Sequence, residues 1–545
     1  MPSRDPLSLY TARDAQREGR DAFQLLGDKT GLEAVRTDPT APLGYSLDTH
    51  VGEIYRDKPV IGLPGVISHI DSGATLKLPN GIVTFSFLEK NHLTGLYNNP
   101  TLGFTAGYGA SPFNTAQRAE ARDSITLWDD LVPVTFVEVK GTGADIRLAN
   151  SFDPAQAYAY YPTKQGYTFQ SDVFIADPRI NWTNNWLGFN GYGATTLIHE
   201  LGHTLGLSHP GSYNYDPNLD LTYANYAEYA QDSTQYSIMS YWSASETGAL
   251  IRDWSTLQFG NAQSPLLHDI LTIQAKYGAD PTTRAGDTTY GFNSNAGRDI
   301  YDFSANKFPY LSIYDAGGND TIDLSGFNAS VFLDLHAGSF SSVGQAIPTL
   351  SEITAARVAL GEIRGAPFLV RSQAFVDNLA NPAIAHNEAA IFADTGVHGV
   401  TATEFMNLSI AYATTIENGI GGSQRDVLWG NEVANVLRGM AGDDVLDGFE
   451  GADTLWGGAG NDTFAFHLIE KGDKIADFQS GHDKIDLTGT GVDFTWIGSG
   501  AFTGHAGELR YSGGVLSGDV NGDGVADLTI GVMGDALLVT DVMFG

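Results

Sequence analysis

The segment HELGHTLGLSH places three histidines and one glutamate at spacings that suit metal-dependent chemistry. On a helix, His199 and His203 project from one face a turn apart, where both can bind one tetrahedral zinc ion at about 2.0–2.1 Å. Gly206 permits the positive φ that ends a helix sharply, so the chain can turn back and bring His209 to the metal. Three protein ligands leave a fourth position for water, which is typical of a catalytic zinc site. Glu200 can reach that water rather than the metal.

The competing interpretation of this segment is an amphipathic helix with solvent-facing histidines. The metal site is favoured, because a chance match must supply the glycine and the third histidine as well as the HExxH core. The chain has no cysteine, so a transition metal must be held by histidines and carboxylates, and no disulfide can stabilise the fold. We therefore expect one catalytic zinc ion.

The composition restricts the partners. A formal net charge of -34 over 545 residues argues against nucleic acid, whose phosphates it would repel. An apolar fraction of 42% is normal for globular proteins, and the length suffices for two or three domains. The first residues, MPSRDPLSLYTARDAQREGR, lack the apolar region of a cleavable signal peptide, and no apolar run is long enough to predict a membrane span.

The residues around the motif predict the elements that must position it. GIVTFSFL, VPVTFVEV and ADIRLANS are typical of strands. Residues 112–131 carry apolar side chains at helical spacing after Ser111, the expected N-cap. The motif helix is expected to begin near Ala194, and a further helix, LLHDILTIQAKYG, to end at Gly278 as its C-cap.

Residues 421–465 divide without a gap into five nonapeptides, GGSQRDVLW, GNEVANVLR, GMAGDDVLD, GFEGADTLW and GGAGNDTFA. Each begins with glycine, and residues 415–545 carry 21 Asp and Glu against 6 Lys and Arg. A nine-residue register is typical of a parallel β-helix whose turns bind calcium. A disordered Gly-rich tail is disfavoured, because disorder does not keep apolar residues in phase. The apolar eighth positions are Leu428, Leu437, Leu446, Leu455 and Phe464.

The motif HELGHTLGLSH matches the HExxHxxGxxH pattern of the metzincin metalloproteases. Downstream, SIMSYW puts Met239 where metzincins have their Met-turn, with Tyr241 two residues later. Together with the calcium repeats, these motifs resemble the serralysin family of secreted bacterial proteases over roughly residues 80–545. The resemblance implies an α+β metzincin protease domain followed by an all-β parallel β-roll (RTX) domain.

The resemblance also implies roles at the active site. His199, His203 and His209 would bind the zinc ion, and Glu200 would act as general base and then as general acid. Tyr241 resembles the family tyrosine that ligates zinc in the resting enzyme and swings away when substrate binds. It would then donate a hydrogen bond to the tetrahedral intermediate. ADIRLANS is in the right order to be the edge strand that aligns an extended peptide.

Several Ca²⁺ ions are implied in the C-terminal half, where oxygen ligands and dense carboxylates suit a hard cation. Three segments resemble the family's calcium region, RAGDTTYGFNSNAGRD, DAGGNDTIDLSG and TIENGIGG. Their candidate ligands are Arg284, Gly286, Thr288, Asp315, Gly317, Gly318, Asp320, Thr415 and Glu417. Those of the repeats are Gly439, Ala441, Asp443, Asp444, Gly448, Gly451, Asp453, Gly457, Ala459, Gly460 and Asp462.

Some segments depart from the family pattern. In the first repeats Arg425 and Val433 replace expected residues, so fewer calcium ions than repeats are expected. GDVNGDGVADLTI resembles a short EF-hand-like loop without its final glutamate, and a polar turn is the alternative. Residues 345–413 form an inserted segment of unknown role, in which SEITAARVALGEIR suggests a helix.

We therefore predict three regions: an N-terminal extension or pro-segment at 1–50, a zinc metalloprotease domain at 51–278 and a calcium-binding β-roll domain at 279–545. The end, LLVTDVMFG, resembles an uncleaved type I secretion signal, with an ordinary final strand as the alternative. The predicted protein is a secreted, extracellular, monomeric zinc endopeptidase acting on proteins or peptides. Its other partners would be the type I secretion machinery and a proteinaceous protease inhibitor. The competing function is a calcium-dependent adhesin or surface-layer protein with an inactive protease domain, which the intact Glu200 argues against.

Overall fold

The computed structural model describes residues 46–76, 78–90, 107, 109–154, 156–162, 171–216 and 218–544. The predicted N-terminal segment 1–50 falls outside the described residues except for its last five. Among the described residues, no helix combines the length and apolar character that a bilayer crossing needs.

The described helices are α1 Leu63–Ile70, α2 Thr115–Asp129, α3 Tyr192–Thr204, α4 Tyr223–Tyr226, α5 Leu267–Tyr277, α6 Leu350–Arg364 and α7 Gln373–Thr395. The strands up to residue 260 are β1 Ile54–Tyr55, β2 Lys58–Pro59, β3 Ile82–Phe87, β4 Thr135–Glu138, β5 Ile146–Ser151, β6 Ala157–Ala159, β7 Asp172–Ala176, β8 Arg252–Asp253 and β9 Gln258–Phe259.

The remaining strands are β10 Thr289–Gly291, β11 Leu311–Ile313, β12 Thr321–Asp323, β13 Phe332–Asp334, β14 Phe340–Ser341, β15 Leu408–Ile410, β16 Asn418–Ile420, β17 Val427–Asn431, β18 Val436–Ala441, β19 Val445–Phe449, β20 Thr454–Ala459, β21 Thr463–Ala465, β22 Lys471–Phe478, β23 Lys484–Asp486, β24 Thr495–Trp496, β25 Glu508–Ser512, β26 Val515–Asp519, β27 Leu528–Gly534 and β28 Val542–Met543.

The N-terminal sheet has the strand order β4-β3-β5-β7-β6 among the described residues. The prediction that ADIRLANS forms the edge strand is wrong, because β5 pairs in parallel with β3 on one side and β7 on the other. Its polar side chains are satisfied internally: Arg147 makes a two-bond ion pair with Asp172 of β7, at 2.6 and 2.9 Å. The edge next to β7 is instead β6, which runs antiparallel to it.

Helices α2 and α3 pack against each other and against this sheet. The predicted N-cap of α2 is wrong, because Asn114 rather than Ser111 caps the helix, in a capping box with Gln117. The indole nitrogen of Trp128 on α2 donates to the carbonyl oxygen of Ile198 on α3, at 3.1 Å in the core. Helix α5 ends at Gly278 as predicted.

The C-terminal half contains a parallel β-roll, as the repeat register predicts. Successive strands alternate between two sheets, with orders β12-β16-β18-β20-β22 in one and β13-β17-β19-β21-β23-β28 in the other. Partners lie 18 residues apart: Leu428 pairs with Leu446, and Leu437 with Leu455. These side chains are fully buried between the sheets, with Phe464. One nonapeptide therefore forms half a turn, and its apolar eighth residue fills the core.

Within segment 345–413, SEITAARVALGEIR is helical as predicted, in α6, and α7 follows. The two helices pack on the residues that follow the motif. Ile353 of α6 and Val376 of α7 share a buried cluster with Trp254 and Phe308. The segment thus connects the motif-bearing region and the β-roll.

Candidate metal centres

Helix α3 carries His199 and His203, and the turn after it carries His209. Gly206 has φ +92°, as its predicted role requires, and an added Cβ there would lie 2.1 Å from the carbonyl oxygen of Ala74. Only glycine fits this turn, because a larger residue would meet both backbone strain and a backbone clash. The turn folds the chain back so that all three imidazoles meet.

The hydrogen bonds of the three imidazoles fix which nitrogens face the site. Each Nδ1 donates to a backbone carbonyl: His199 to Ile238 at 2.7 Å, His203 to Leu207 at 2.7 Å and His209 to Tyr213 at 3.0 Å. A carbonyl can only accept, so the ring proton sits on Nδ1 and leaves a lone pair on every Nε2.

The three Nε2 atoms converge at the separation that a metal would impose. His203 Nε2 lies 3.2 Å from His209 Nε2, which lies 3.3 Å from His199 Nε2. Tetrahedral zinc with Zn–N bonds of about 2.0–2.1 Å requires about 3.3–3.4 Å between ligand nitrogens. Converging lone pairs cannot hydrogen-bond to each other, so the donor set fits a cation. Burial lowers the pKa of His199 to about 4, which keeps that ring neutral and available as a ligand.

Glu200 lies beside the triad and is 6% exposed, and its buried Oε2 atom has no hydrogen-bond partner among the described residues. Burial raises the pKa of Glu200 to about 8. Tyr161 approaches the same region, its ring edge-on to His203 with centroids 5.4 Å apart. A carboxyl group with an open oxygen and a pKa near neutrality is suited to carrying a proton.

The SIMSYW segment lies directly under α3. Met239 is fully buried, and a Cβ added at Gly202 would lie 2.7 Å from its sulfur. Tyr241 is 41% exposed, with its ring centroid 4.4 Å from that of His209. The sequence analysis missed Asp269 of α5, which anchors this segment by accepting from the Ser237 hydroxyl at 2.6 Å and from the Ile238 amide at 2.7 Å. Asp269 thereby helps to position the Ile238 carbonyl, which accepts the hydrogen bond from His199 Nδ1.

In the β-roll, the predicted carboxylates form a ladder. The Asp444 amide donates to Asp462 Oδ1 at 3.0 Å, and the Asp426 amide donates to Asp444 Oδ1 at 2.8 Å, one full turn apart in each case. The second carboxylate oxygens of Asp444 and Asp462 are buried without partners. Burial raises the pKa of Asp444 to about 9 and that of Asp462 to about 6. Such open oxygens are the ligands that calcium prefers.

The repeat glycines leave room for these oxygens. A Cβ added at Gly439 would lie 2.4 Å from Asp444 Oδ2, and one at Gly457 would lie 2.3 Å from Asp462 Oδ2. Likewise, a Cβ added at Gly448 would lie 1.9 Å from Asp453 Oδ2. The first residue of these nonapeptides must be glycine, because a side chain there would occupy the space of the aspartate carboxylate.

Other predicted ligands surround the same turns. Ala441 pairs with Ala459 in the ladder, and a Cβ at Gly460 would lie 1.7 Å from the carbonyl oxygen of Gly442. Asp443 does not join the buried ladder: it is exposed and accepts from the Asn461 amide at 2.8 Å.

Gly451 closes the turn before Asp453, where its Cβ would lie 2.7 Å from the carbonyl oxygen of Val433. The Val433 carbonyl oxygen therefore lies at this turn, although Val433 replaces the glycine of the repeat pattern.

At the start of the roll, the structure brings together Asp315, Asp320 and Glu417. The Asp320 amide donates to Glu417 Oε2 at 2.7 Å, and the Gly317 amide donates to Asp315 Oδ1 at 2.8 Å. Burial, with the nearby charges of Asp315 and Glu417, raises the pKa of Asp320 to about 7. Thr415 is exposed.

The neighbouring loop adds carbonyl oxygens to this group. The Thr288 hydroxyl donates to the Gly286 carbonyl at 2.8 Å and lies 3.4 Å from that of Arg284. A Cβ at Gly318 would lie 2.7 Å from both the Gly286 carbonyl oxygen and Asp320 Oδ1. Most of the oxygens predicted for this region therefore lie around one turn.

Two ladder carboxylates were not predicted from the sequence. Asp453, Glu470 and Asp473 have carboxylate oxygens within 4.8 Å of one another, and Asp473 Oδ2 is buried without a partner. The signal was missed because Asp473 lies 20 residues after Asp453, outside the 18-residue period. In the EF-hand-like loop, Asp519 accepts from the Gly522 and Gly524 amides, both at 2.8 Å, an arrangement that a calcium loop and a polar turn share, so both interpretations stay predictions.

The fold and the site define the chain as a candidate metalloenzyme joined to a parallel β-roll. The family model described as "Peptidase M10 serralysin C terminal" matches residues 279–362 and 375–544. Metallopeptidase AprA of Pseudomonas marginalis is 36% identical over 543 residues, covering 96% of this chain and 95% of the relative. Serralysin of Photorhabdus laumondii subsp. laumondii is 38% identical over 430 residues, covering 74% of this chain and 73% of the relative. Serralysin of Proteus mirabilis is 37% identical over 435 residues, covering 73% and 75%. The chain belongs to the serralysin family of metalloproteases.

Proposed function

We propose that the chain is a secreted zinc-dependent endopeptidase that hydrolyses peptide bonds of proteins. The observation that carries this proposal is the convergence of three Nε2 lone pairs, 3.2–3.3 Å apart along two edges, beside the buried open oxygen of Glu200. Zinc bound there supplies a Lewis acid that polarises the scissile carbonyl and acidifies a water molecule. The metalloprotease names of relatives that align along most of the chain support the same activity.

In this proposal, the chain's own residues carry the proton and stabilise the developing charge. Glu200 accepts a proton from the attacking water and returns it to the leaving amine, which its pKa near neutrality permits. Tyr241, whose ring lies 4.4 Å from that of His209, donates its hydroxyl proton in a hydrogen bond to the carbonyl oxygen as that oxygen becomes negative.

The substrate peptide adds to the sheet at β6 rather than at β5. Gln156, just before β6, donates to the Thr196 hydroxyl of α3 at 2.7 Å, so this edge is tied to the histidine-bearing helix. An extended peptide paired with β6 would therefore be held in a fixed relation to the triad.

The β-roll domain, residues 279–545, binds several Ca²⁺ ions between its turns, and at neutral pH it folds only when they are present. The buried, partnerless carboxylate oxygens of the ladder support this role, because unpaired buried charges oppose folding unless a cation joins them. The chain would then leave the cell unfolded through a type I secretion channel and fold outside. Residues 51–278 are the proposed protease domain, preceded by an N-terminal extension or pro-segment.

The competing function, a calcium-dependent adhesin with an inactive protease domain, gives the opposite result in one experiment. Purified protein should cleave casein, lose that activity with 1,10-phenanthroline and recover it with added zinc. Elemental analysis should find one zinc per chain in the wild type and less than a tenth of that in His209→Ala. Zinc-loaded protein that leaves casein and a peptide library intact would favour the adhesin.

A further inference from the structure

A cavity of about 290 Å³ lies between the C-terminal half of α6 and the loop 365–371 that follows it. Its lining includes Ile353, Arg357, Phe368 and Arg371. At the loop, Leu369 and Val370 are 69% and 85% exposed. The match to the family model is interrupted at residues 363–374, which include most of this loop.

Two guanidinium groups line the cavity without a carboxylate partner among the described residues. Arg357 is 6% exposed and donates only to neutral groups, the carbonyl oxygens of Thr256 at 2.5 Å and Leu369 at 3.4 Å. The Nε atoms of Arg357 and Arg371 are both buried and have no hydrogen-bond partner among the described residues.

The environment of these charges is unfavourable as it stands. Burial and the neighbouring charge of Arg371 lower the pKa of Arg357 to about 10. The ring of Phe368 lies 5.1 Å from the Arg357 guanidinium carbon and contributes an aromatic wall. Glu362 also borders the cavity but forms no ion pair with either arginine in the described structure. An anion with an apolar body would satisfy both the charges and the walls.

We propose that this cavity binds a small amphiphilic carboxylate, with the anionic head on Arg357 and Arg371 and the apolar body against Ile353, Phe368 and the exposed loop. The volume lies at the lower end of small-molecule sites, which limits the apolar body to about eight carbons. This site is separate from the histidine triad and does not depend on the proposed proteolytic function.

The test uses full-length Glu200→Ala protein, which avoids self-digestion, and isothermal titration with four probes: octanoate, octanol, octylammonium and acetate. Octanoate should bind saturably, with one molecule per chain. Octanol and acetate should bind at least tenfold more weakly, because each lacks one half of the recognition, and octylammonium should not bind. Equal affinity for octanoate and octanol, or no saturable binding of octanoate, would overturn the proposal.

Variants assign the binding to the cavity. Arg371→Gln should weaken octanoate binding at least tenfold, and Val370→Asp should weaken it by placing a like charge beside the ligand. The matched control is Arg438→Gln, which also removes an arginine over an aromatic ring, Trp456 at 4.8 Å, but outside the cavity. Its affinity should equal that of the parent. Unchanged affinity in Arg371→Gln, with an unchanged circular dichroism spectrum, would show that the ligand binds elsewhere.

Discussion

Replacing Gly206 by alanine should destabilise the turn that delivers the third histidine. At φ +92°, alanine would have to adopt a left-handed backbone conformation, which destabilises an L-residue by about 1–2 kcal/mol. Its methyl group would also lie 2.1 Å from the Ala74 carbonyl oxygen, and relieving such overpacking costs about 1–3 kcal/mol. We therefore expect a total of about 2–5 kcal/mol.

Gly248→Ala provides the matched control for this prediction. Gly248 has φ +103°, but a Cβ there would meet nothing within 4 Å. Gly248→Ala should therefore lose only the free energy of adopting the left-handed conformation, so that the free energies of unfolding of the two variants differ by about 1–3 kcal/mol. For a domain of this size, the difference corresponds to roughly 2–12 °C in melting temperature.

Both variants are best made in the Glu200→Ala background, so that self-digestion does not affect the melting curves. Thermal unfolding is followed by circular dichroism in excess calcium, and bound zinc by elemental analysis after dialysis. Gly206→Ala should melt at the lower temperature and retain less zinc, because the shifted turn moves both His209 and the Leu207 carbonyl that orients His203. Equal melting temperatures and equal zinc content would refute the assigned clash and its link to the site.

Three further predictions follow from the proposed roles. Glu200→Ala should keep its zinc but lose roughly 10²–10⁴-fold in peptide hydrolysis, and more than a tenth of wild-type activity would contradict its role as proton carrier. Tyr241→Phe should lower kcat much more than it changes KM, whereas an unchanged kcat would remove the residue from the transition state. In EGTA, the β-roll should be unfolded at pH 8 and should recover part of its β-structure at pH 5, as measured by circular dichroism, because protons then neutralise the ladder carboxylates in place of calcium. The pKa values of Asp444 and Asp453, raised by burial to about 9 and 7, exceed the unfolded value of about 3.9, so stability falls as the pH rises from about 4 toward 9. Calcium should abolish this dependence, and calcium-free circular dichroism spectra that are independent of pH would contradict the buried ladder.

Features encoded by local periodicity could be predicted from the sequence. The histidines of α3 are one turn apart on any helix, and Gly206 has the positive φ that its place after the helix requires. The nonapeptide register likewise specifies its own strand pairing, because every repeat presents the same groups to the next turn. Leu428 and Leu446 meet for this reason.

Features that depend on distant partners could not be predicted. The order of the strands along the chain suggested β5 as the edge strand, but β5 lies inside the sheet, where Arg147 is paired with Asp172 and Asn150 with Gln117. Asp473 escaped the repeat analysis because two extra residues precede it, although its Oδ1 still accepts from the Asp453 amide at 3.1 Å.

The sequence by itself determined the ligand types, their order along the chain and the repeat period, because these follow from residue identity and local geometry. Only the tertiary structure decided which carbonyls accept hydrogen bonds from the imidazole Nδ1 atoms, and therefore that every Nε2 presents a lone pair. Two of those carbonyls belong to Ile238 and Tyr213, outside the motif. The same holds for the edge position of β6 and for Arg357 and Arg371, which have no carboxylate partner among the described residues. The position of a strand in a sheet, and whether a charge has a counter-ion beside it, depend on residues that folding brings together, and no local pattern encodes them.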